Sequence, residues 1–203
     1  MKGSRLATFL LTVARHVGTL VLGAVLALPC LGARADQLEA WRTARVPDLA
    51  LPDLEGTTAR LDAEAGKLVI VHFFATWCEP CRNELKSLER LAQALDGRPF
   101  RILAVDVGEP ADRVRRFLER NEIGVSYPVL IDFDKQSMRA WDVEMLPTSY
   151  VLGGARCPLW KVAGALEWDV GPTLSVIEAE IARIEQAKDR AHNESCTVKG
   201  GTQ

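Results

Sequence analysis

The chain has 203 residues, 48% of them hydrophobic, and sets 25 Lys and Arg against 27 Asp and Glu for a net charge of -2. That length fits one domain plus an export segment rather than two full domains, and the apolar content suffices for a packed core. A charge balance this close to neutrality excludes the strongly basic footprint of a nucleic-acid-binding protein.

At the N-terminus, Lys2, Arg5 and Arg15 precede an uncharged apolar run over residues 17–31, followed by Ala33-Arg34-Ala35. A basic start, an apolar stretch and a small-x-small triplet predict a signal peptide over residues 1–35, cut before Asp36. The run of about fifteen residues falls short of the roughly twenty that cross a bilayer. An uncleaved anchor reaching back through residues 6–13 is the alternative, and it would have to hold Arg15 and His16. Pro29 stands where a lipoprotein signal before Cys30 would want a small residue. Beyond the segment four cysteines remain, Cys78, Cys81, Cys157 and Cys196, an even number that permits disulfides in an exported protein.

"VPDLALPDLEGTTARLD" (46–62) reads as an extended entry and a hairpin turning at Glu55-Gly56. "KLVIVHFF" (67–74) is a continuous β-branched and aromatic run, the pattern of a strand covered on both faces in a parallel sheet. From Glu79 the period changes: Leu85, Leu88, Leu91, Ala92 and Leu95 form one apolar stripe of a helix that Asp96-Gly97 closes. "FRILAVDV" (100–107) is a second buried strand, and Gly108-Glu109-Pro110 turns into a helix through Val114, Phe117 and Leu118 that stops near Asn121.

"YPVLIDF" (127–133) is short and extended, and "QSMRAWDV" (136–143) has room for one helical turn. "SYVL" (149–152) and "PLWKVAG" (158–164) predict two strands joined at Gly153-Gly154. A last helix opens at Gly171-Pro172, with Leu174, Ile177, Ile181 and Ile184 turned inward. Residues 36–185 thus form one α/β domain with a mostly parallel sheet, and residues 186–203 are predicted to be a polar, flexible tail.

Cys78 and Cys81 sit at the end of a buried strand and in the first turn of the helix that follows. Unpaired backbone N–H groups and the helix dipole stabilise a thiolate there, so Cys78 is the expected nucleophile and Cys81, on the same face, the resolving thiol. Pro80 suits the helix start. A structural zinc site would need a second ligand pair that Cys157 and Cys196 do not supply, and a static staple across so small a loop would add little stability. Binding of Cu(I) by the two thiolates stays open as an alternative.

"FFATWCEPCRNE", together with "DVGEP", "YPVLID" and "MLPTSYVL" in that order, resembles the thioredoxin-like family, and within it the exported ResA/TlpA type of thiol-disulfide oxidoreductase. The resemblance implies a thioredoxin fold: a central mixed sheet flanked by helices, an N-terminal β-hairpin extension and a central insertion. It implies reduction of disulfides in exported bacterial proteins, apocytochrome c for example, in the periplasm. A disulfide-forming oxidase is the runner-up among enzymes. A peroxidase of the peroxiredoxin fold is disfavoured, because its single reactive cysteine lacks this pair. The expected partners are a disulfide-bearing protein substrate and a membrane dithiol donor, with no cofactor, no metal and no nucleic acid, and with a monomeric chain.

Pro147 matches the family's cis-proline beside the dithiol; the residues alone leave it open between a cis bond and a trans turn. Leu146 and Thr148 would then offer backbone to an incoming strand of substrate. Glu84, three residues after Cys81, and Glu109, in the V-G-E turn, match acidic positions of the family and are expected to manage protons. A surface helix charge is the plain alternative for Glu84, and a residue placed by the following helix N-terminus for Glu109. His72 departs from the family, which commonly has Asn there; it is read as a proton relay or as a buried, satisfied histidine. Glu79 disfavours thiolate, which suits a reductant. Trp77 shields the site and offers an apolar contact, unless it packs in the core. Cys157 and Cys196 either bridge or stay as two thiols.

Overall fold

The computed structural model describes residues 38–43 and 45–198. The signal segment, the alternative anchor and the last five residues lie outside them. No helix among the described residues is long and apolar enough to cross a membrane.

Eight strands and four helices follow in order: β1 (Glu39–Ala40), β2 (Ala50–Pro52), β3 (Thr58–Arg60), β4 (Leu68–Phe74), α1 (Glu79–Ala94), β5 (Phe100–Val107), α2 (Ala111–Arg120), β6 (Val129–Asp132), α3 (Gln136–Ala140), β7 (Thr148–Leu152), β8 (Pro158–Ala163) and α4 (Gly171–Val198). Six of the strands form a mixed sheet in the order β1-β8-β7-β4-β5-β6. β4, β5 and β6 run parallel, and β7, β8 and β1 add antiparallel neighbours. This is the thioredoxin fold. β2 and β3 pair in a separate hairpin whose turn uses Gly56 at φ 85°, a conformation that costs other residues a steric clash. α2 falls where a helix through Val114, Phe117 and Leu118 was expected, but the connection after it holds more than a short extended piece: β6 is a sheet strand in parallel register with β5.

β4 is buried at all seven positions because helices cover both faces of the sheet. On one face Ile70, Phe74, Ile102 and Val151 pack with Leu85, Leu88 and Leu91 of α1, Phe117 of α2 and Ile177 of α4. On the other, Val71, Phe73, Leu103 and Tyr150 pack with Leu61, Trp141 and Val143, and Trp41 stacks on Trp141 at 5.8 Å. The predicted strand and helix positions fall where the periodicities put them.

The tail is different. α4 continues to Val198, so residues 186–198 are helical where a loose segment was expected. Gln186, Ala187, Lys188, Arg190 and Ala191 are strong helix formers, and the first breaker is Gly200. Lack of an apolar stripe removes the packing signal, while intrinsic propensity is enough to extend a helix already nucleated upstream. The side chain of Cys196 lies outside the described residues, and with it the proposed Cys157–Cys196 bridge; Cys157 is exposed in the β7–β8 turn.

Leu88 is fully buried between α1 and the sheet. Replacing Leu88 with Ala should lower the unfolding free energy by about 3 kcal/mol in urea titrations, against less than about 0.5 kcal/mol for exposed Glu119→Ala.

Candidate active site

The dithiol sits where β4 ends and α1 begins. Cys78 is the N-cap of α1 and has extended backbone dihedrals, Glu79 and Pro80 open the helix, and the Cys78 N–H donates to the Ala75 carbonyl at 3.1 Å. Cys78 and Cys81 are joined in a disulfide with their Cα atoms 5.4 Å apart. Both are buried, at 5% and 1% exposure, while the preceding Trp77 is 66% exposed. Trp77 therefore does not pack in the core; it faces solvent one residue before Cys78. Glu79 is exposed and pairs with Arg82 at 3.5 Å.

Leu146–Pro147 is a cis peptide. The register that pairs Phe73 with Thr148 brings this segment to the end of β4 from which the dithiol turn departs. Pro147 is buried and Leu146 half-buried. The Thr148 side chain turns inward at 1% exposure, and its hydroxyl donates to the Met145 carbonyl at 2.8 Å. A substrate role for Thr148 is thus limited to its backbone. Met145, 52% exposed, is the apolar neighbour that sequence reasoning passed over.

Glu84 is not a surface charge. It lies on the sheet-facing side of α1 at 2% exposure, and the Trp168 Nε1–H donates to its Oε1 at 2.7 Å while Oε2 has no protein partner. Burial pushes its carboxyl up to about 8. Beneath it on β4 lies His72, fully buried, its Nδ1 2.8 Å from Ser149 Oγ and 3.7 Å from Glu84 Oε1. Burial pushes the imidazole down to about 3. Desolvation thus disfavours both charges, favouring a neutral imidazole beside a protonated carboxyl. His72 is thus buried and partnered through Nδ1, and its Nε2 has no hydrogen-bond partner among protein atoms.

Glu109 is buried at 4% exposure and anchors the dithiol turn. It accepts from the Thr76 backbone N–H and hydroxyl, both at 2.7 Å, and pairs with Arg113 at 2.8 Å. Placement by the α2 N-terminus is therefore only part of its role. Thr76, Ser149, Trp168 and Asp106 were missed. For Asp106 the signal was present, a lone acid inside the apolar run "FRILAVDV". Among the described residues no group of three or more His, Cys, Asp or Glu is arranged to hold a metal ion.

Residues 43–156 match the model of the AhpC/TSA family. The chain belongs to that family. Within it the chain is similar to the thiol-disulfide oxidoreductase ResA of Geobacillus thermodenitrificans, 40% identical over 106 residues that make up 52% of this chain and 60% of the relative. ResA of Bacillus subtilis is 35% identical over 106 residues, 52% of this chain and 58% of that one. The chain thus spans about 60% of the length of these curated relatives. Among solved structures, a thioredoxin family thiol:disulfide interchange protein from Chlorobium tepidum TLS superposes with TM-score 0.58 at 23% identity, over 70% of this chain and 98% of that one. A secreted thiol-disulfide isomerase from Corynebacterium glutamicum gives 0.61 at 19% identity, over 75% and 95%. These similarities show the thioredoxin fold that the family members share.

The buried carboxyls set a pH dependence. Glu84 keeps its proton in the folded chain up to about pH 8, whereas the unfolded chain releases it near the ordinary carboxyl value of 4.5. Folding therefore binds a proton across that window, and stability falls as pH rises through it. His72 acts oppositely, costing stability only below its unfolded value of 6.5. Between about pH 6.5 and about pH 8, unfolding free energy should fall by up to roughly 1.4 kcal/mol per pH unit from Glu84 alone. Denaturant titrations of Glu84→Gln against the parent should show this slope reduced; parallel slopes would mean that Glu84 is ionised in the fold.

Proposed function

We propose that the chain is an exported thiol-disulfide oxidoreductase that reduces disulfides of other exported proteins, apocytochrome c among them, in the bacterial periplasm. One observation carries the reading: a nearly buried disulfide at a helix N-terminus, preceded by an exposed Trp and followed one helical turn on by a buried carboxyl whose proton is held up to about pH 8. The similarity to proteins named thiol-disulfide oxidoreductase supports it.

In the reduced protein the Cys78 thiolate attacks one sulfur of the client disulfide. A mixed disulfide forms, and the client's other sulfur leaves as a thiolate that takes up a proton. Cys81 then loses its proton, attacks Cys78 Sγ and closes the internal disulfide, releasing the client's second thiol. Two electrons have passed to the client, and a membrane dithiol donor returns two to the protein. The role of Glu84 follows from matching: a carboxyl near 8 and a thiol with an ordinary value of about 8.5 exchange a proton at little cost in either direction. Glu109 holds the turn that presents Cys78. Trp77, Met145 and the Leu146 backbone form the contact for an extended client segment, which adds as a strand beside the cis-proline.

Cys78→Ser should abolish disulfide reduction, and Cys81→Ser should trap a client mixed disulfide visible on a non-reducing gel. The equilibrium potential of the Cys78–Cys81 couple should lie near thioredoxin's, roughly -270 mV. A value near about -120 mV would reverse the direction of flow and make the protein an oxidant. A tight Cu(I) complex with no exchange activity would reject the enzyme reading.

A further inference from the structure

Asp106 is the most unusual polar group in the fold. It is fully buried near the C-terminal end of β5, paired in register with Phe74 of β4 on one side and Ile131 of β6 on the other. Strand alternation puts it on the face of Ile102 and Ala104, the face that packs against the dithiol and α1. Neither of its oxygens meets a hydrogen-bond donor, a condition that buried carboxylates almost never tolerate. The positive charges nearby are Arg113, whose field reaches it only weakly, and Lys135, whose side chain lies over Gly108 two residues on; neither bonds to it. β4 offers Phe74 and, one pleat back, neutral His72; α1 offers the disulfide and Glu84; β6 offers Ile131. Glu109, three residues on, carries a negative charge, and Arg113 of α2 is committed to Glu109 at 2.8 Å.

A carboxyl so placed has one route to satisfaction. It keeps its proton and becomes a donor, and the acceptor beside it is Glu109. Glu109 in turn holds the Thr76 backbone N–H and hydroxyl, two residues before Cys78. We propose that Asp106 is a positioning residue of the dithiol: it stays protonated in the folded protein, donates to Glu109, and so secures the carboxylate that anchors the turn presenting Cys78. Burial first, and the adjoining Glu109 charge second, push Asp106 up to about 8. Above that pH the proton leaves to solvent, two carboxylates oppose each other, the Thr76 anchor weakens, and the added negative charge disfavours the Cys78 thiolate. The pairing itself is independent of the proposed activity; its consequence for Cys78 rests on that reading.

The test is an NMR titration of the full chain carrying 13C at aspartate side chains. One aspartate carboxyl should be protonated at about pH 7 and titrate near pH 8, and its resonance should be missing in Asp106→Asn. If every aspartate is ionised at neutral pH, the proposal fails. Asp106→Asn keeps a donor for Glu109 at all pH values. Alkylation of reduced Cys78, followed by peptide mapping, should therefore run at the parent's rate near about pH 6 and roughly threefold faster near about pH 9. Superimposable profiles would overturn the positioning role.

Should Asp106→Asn not fold, Glu109→Gln serves in its place. Removing the neighbouring charge should bring the Asp106 titration down by about one pH unit, and an unmoved titration would overturn the pairing. A parent protein that exchanges no disulfide at all would remove the oxidoreductase reading while leaving the carboxyl titration as the measure of this one.

Discussion

β4 is bordered by β5 and β7 and covered by helices on both faces, so no polar group on it can turn to water. Every feature of the site follows from that enclosure. His72 is the one polar side chain the strand carries, and it must take Ser149 from β7 as partner. Glu84, facing down from α1, must borrow the Trp168 indole. Burial then acts on charge in a single direction, disfavouring both imidazolium and carboxylate: the imidazole is pushed down to about 3 and the Glu84 carboxyl up to about 8. A more open strand would solvate these groups, and their values would fall back into the ordinary range.

The same enclosure explains why the turn leaving β4 is tied down by side chains. The residues between Phe74 and α1 pass out of the sheet ladder, and their backbone donors need new acceptors. Glu109 takes one of them, the Thr76 N–H, together with the Thr76 hydroxyl, and Arg113 compensates its charge. This fixes the direction in which Cys78 caps α1, so that the helix dipole and the free N–H groups of its first turn converge on sulfur. Anchoring by Glu109 thus leaves the sulfurs held from the sheet side, while Trp77, one residue before Cys78, stays exposed.

Much of this was legible in the order of residues. The β-branched run ending at Phe74, the period change at Glu79 and the spacing of Cys78 and Cys81 specify a strand, a helix and a dithiol at the junction between them. The depth of Glu84 was less legible. Its position relative to Cys81 gives its helical face but not whether α4 and the loop before it lie over that face. Trp168 and Ser149 were invisible for the same reason, since they meet Glu84 and His72 only through tertiary contact across long stretches of chain. Asp106 was written plainly inside an apolar strand, and its meaning needed Glu109 in three dimensions. At the far end of the chain the absence of an apolar stripe gave the wrong state for residues 186–198, because helix propensity continued where packing had stopped.

The two flanks of the sheet have a bearing on how the fold resists edge-to-edge association. At one flank β1 lays two residues along β8, and the Trp41 N–H adds a bond to Leu159; at the other, β6 is only four residues long and is bridged by Asp53 from the β2–β3 hairpin. Neither side offers a long, flat ladder of unpaired amides, the template on which extended polypeptides aggregate. Short, partly covered edges of this kind leave little for another chain to pair with along the sheet, and the backbone that stays free of the ladder is concentrated at the end of β4 where the disulfide lies.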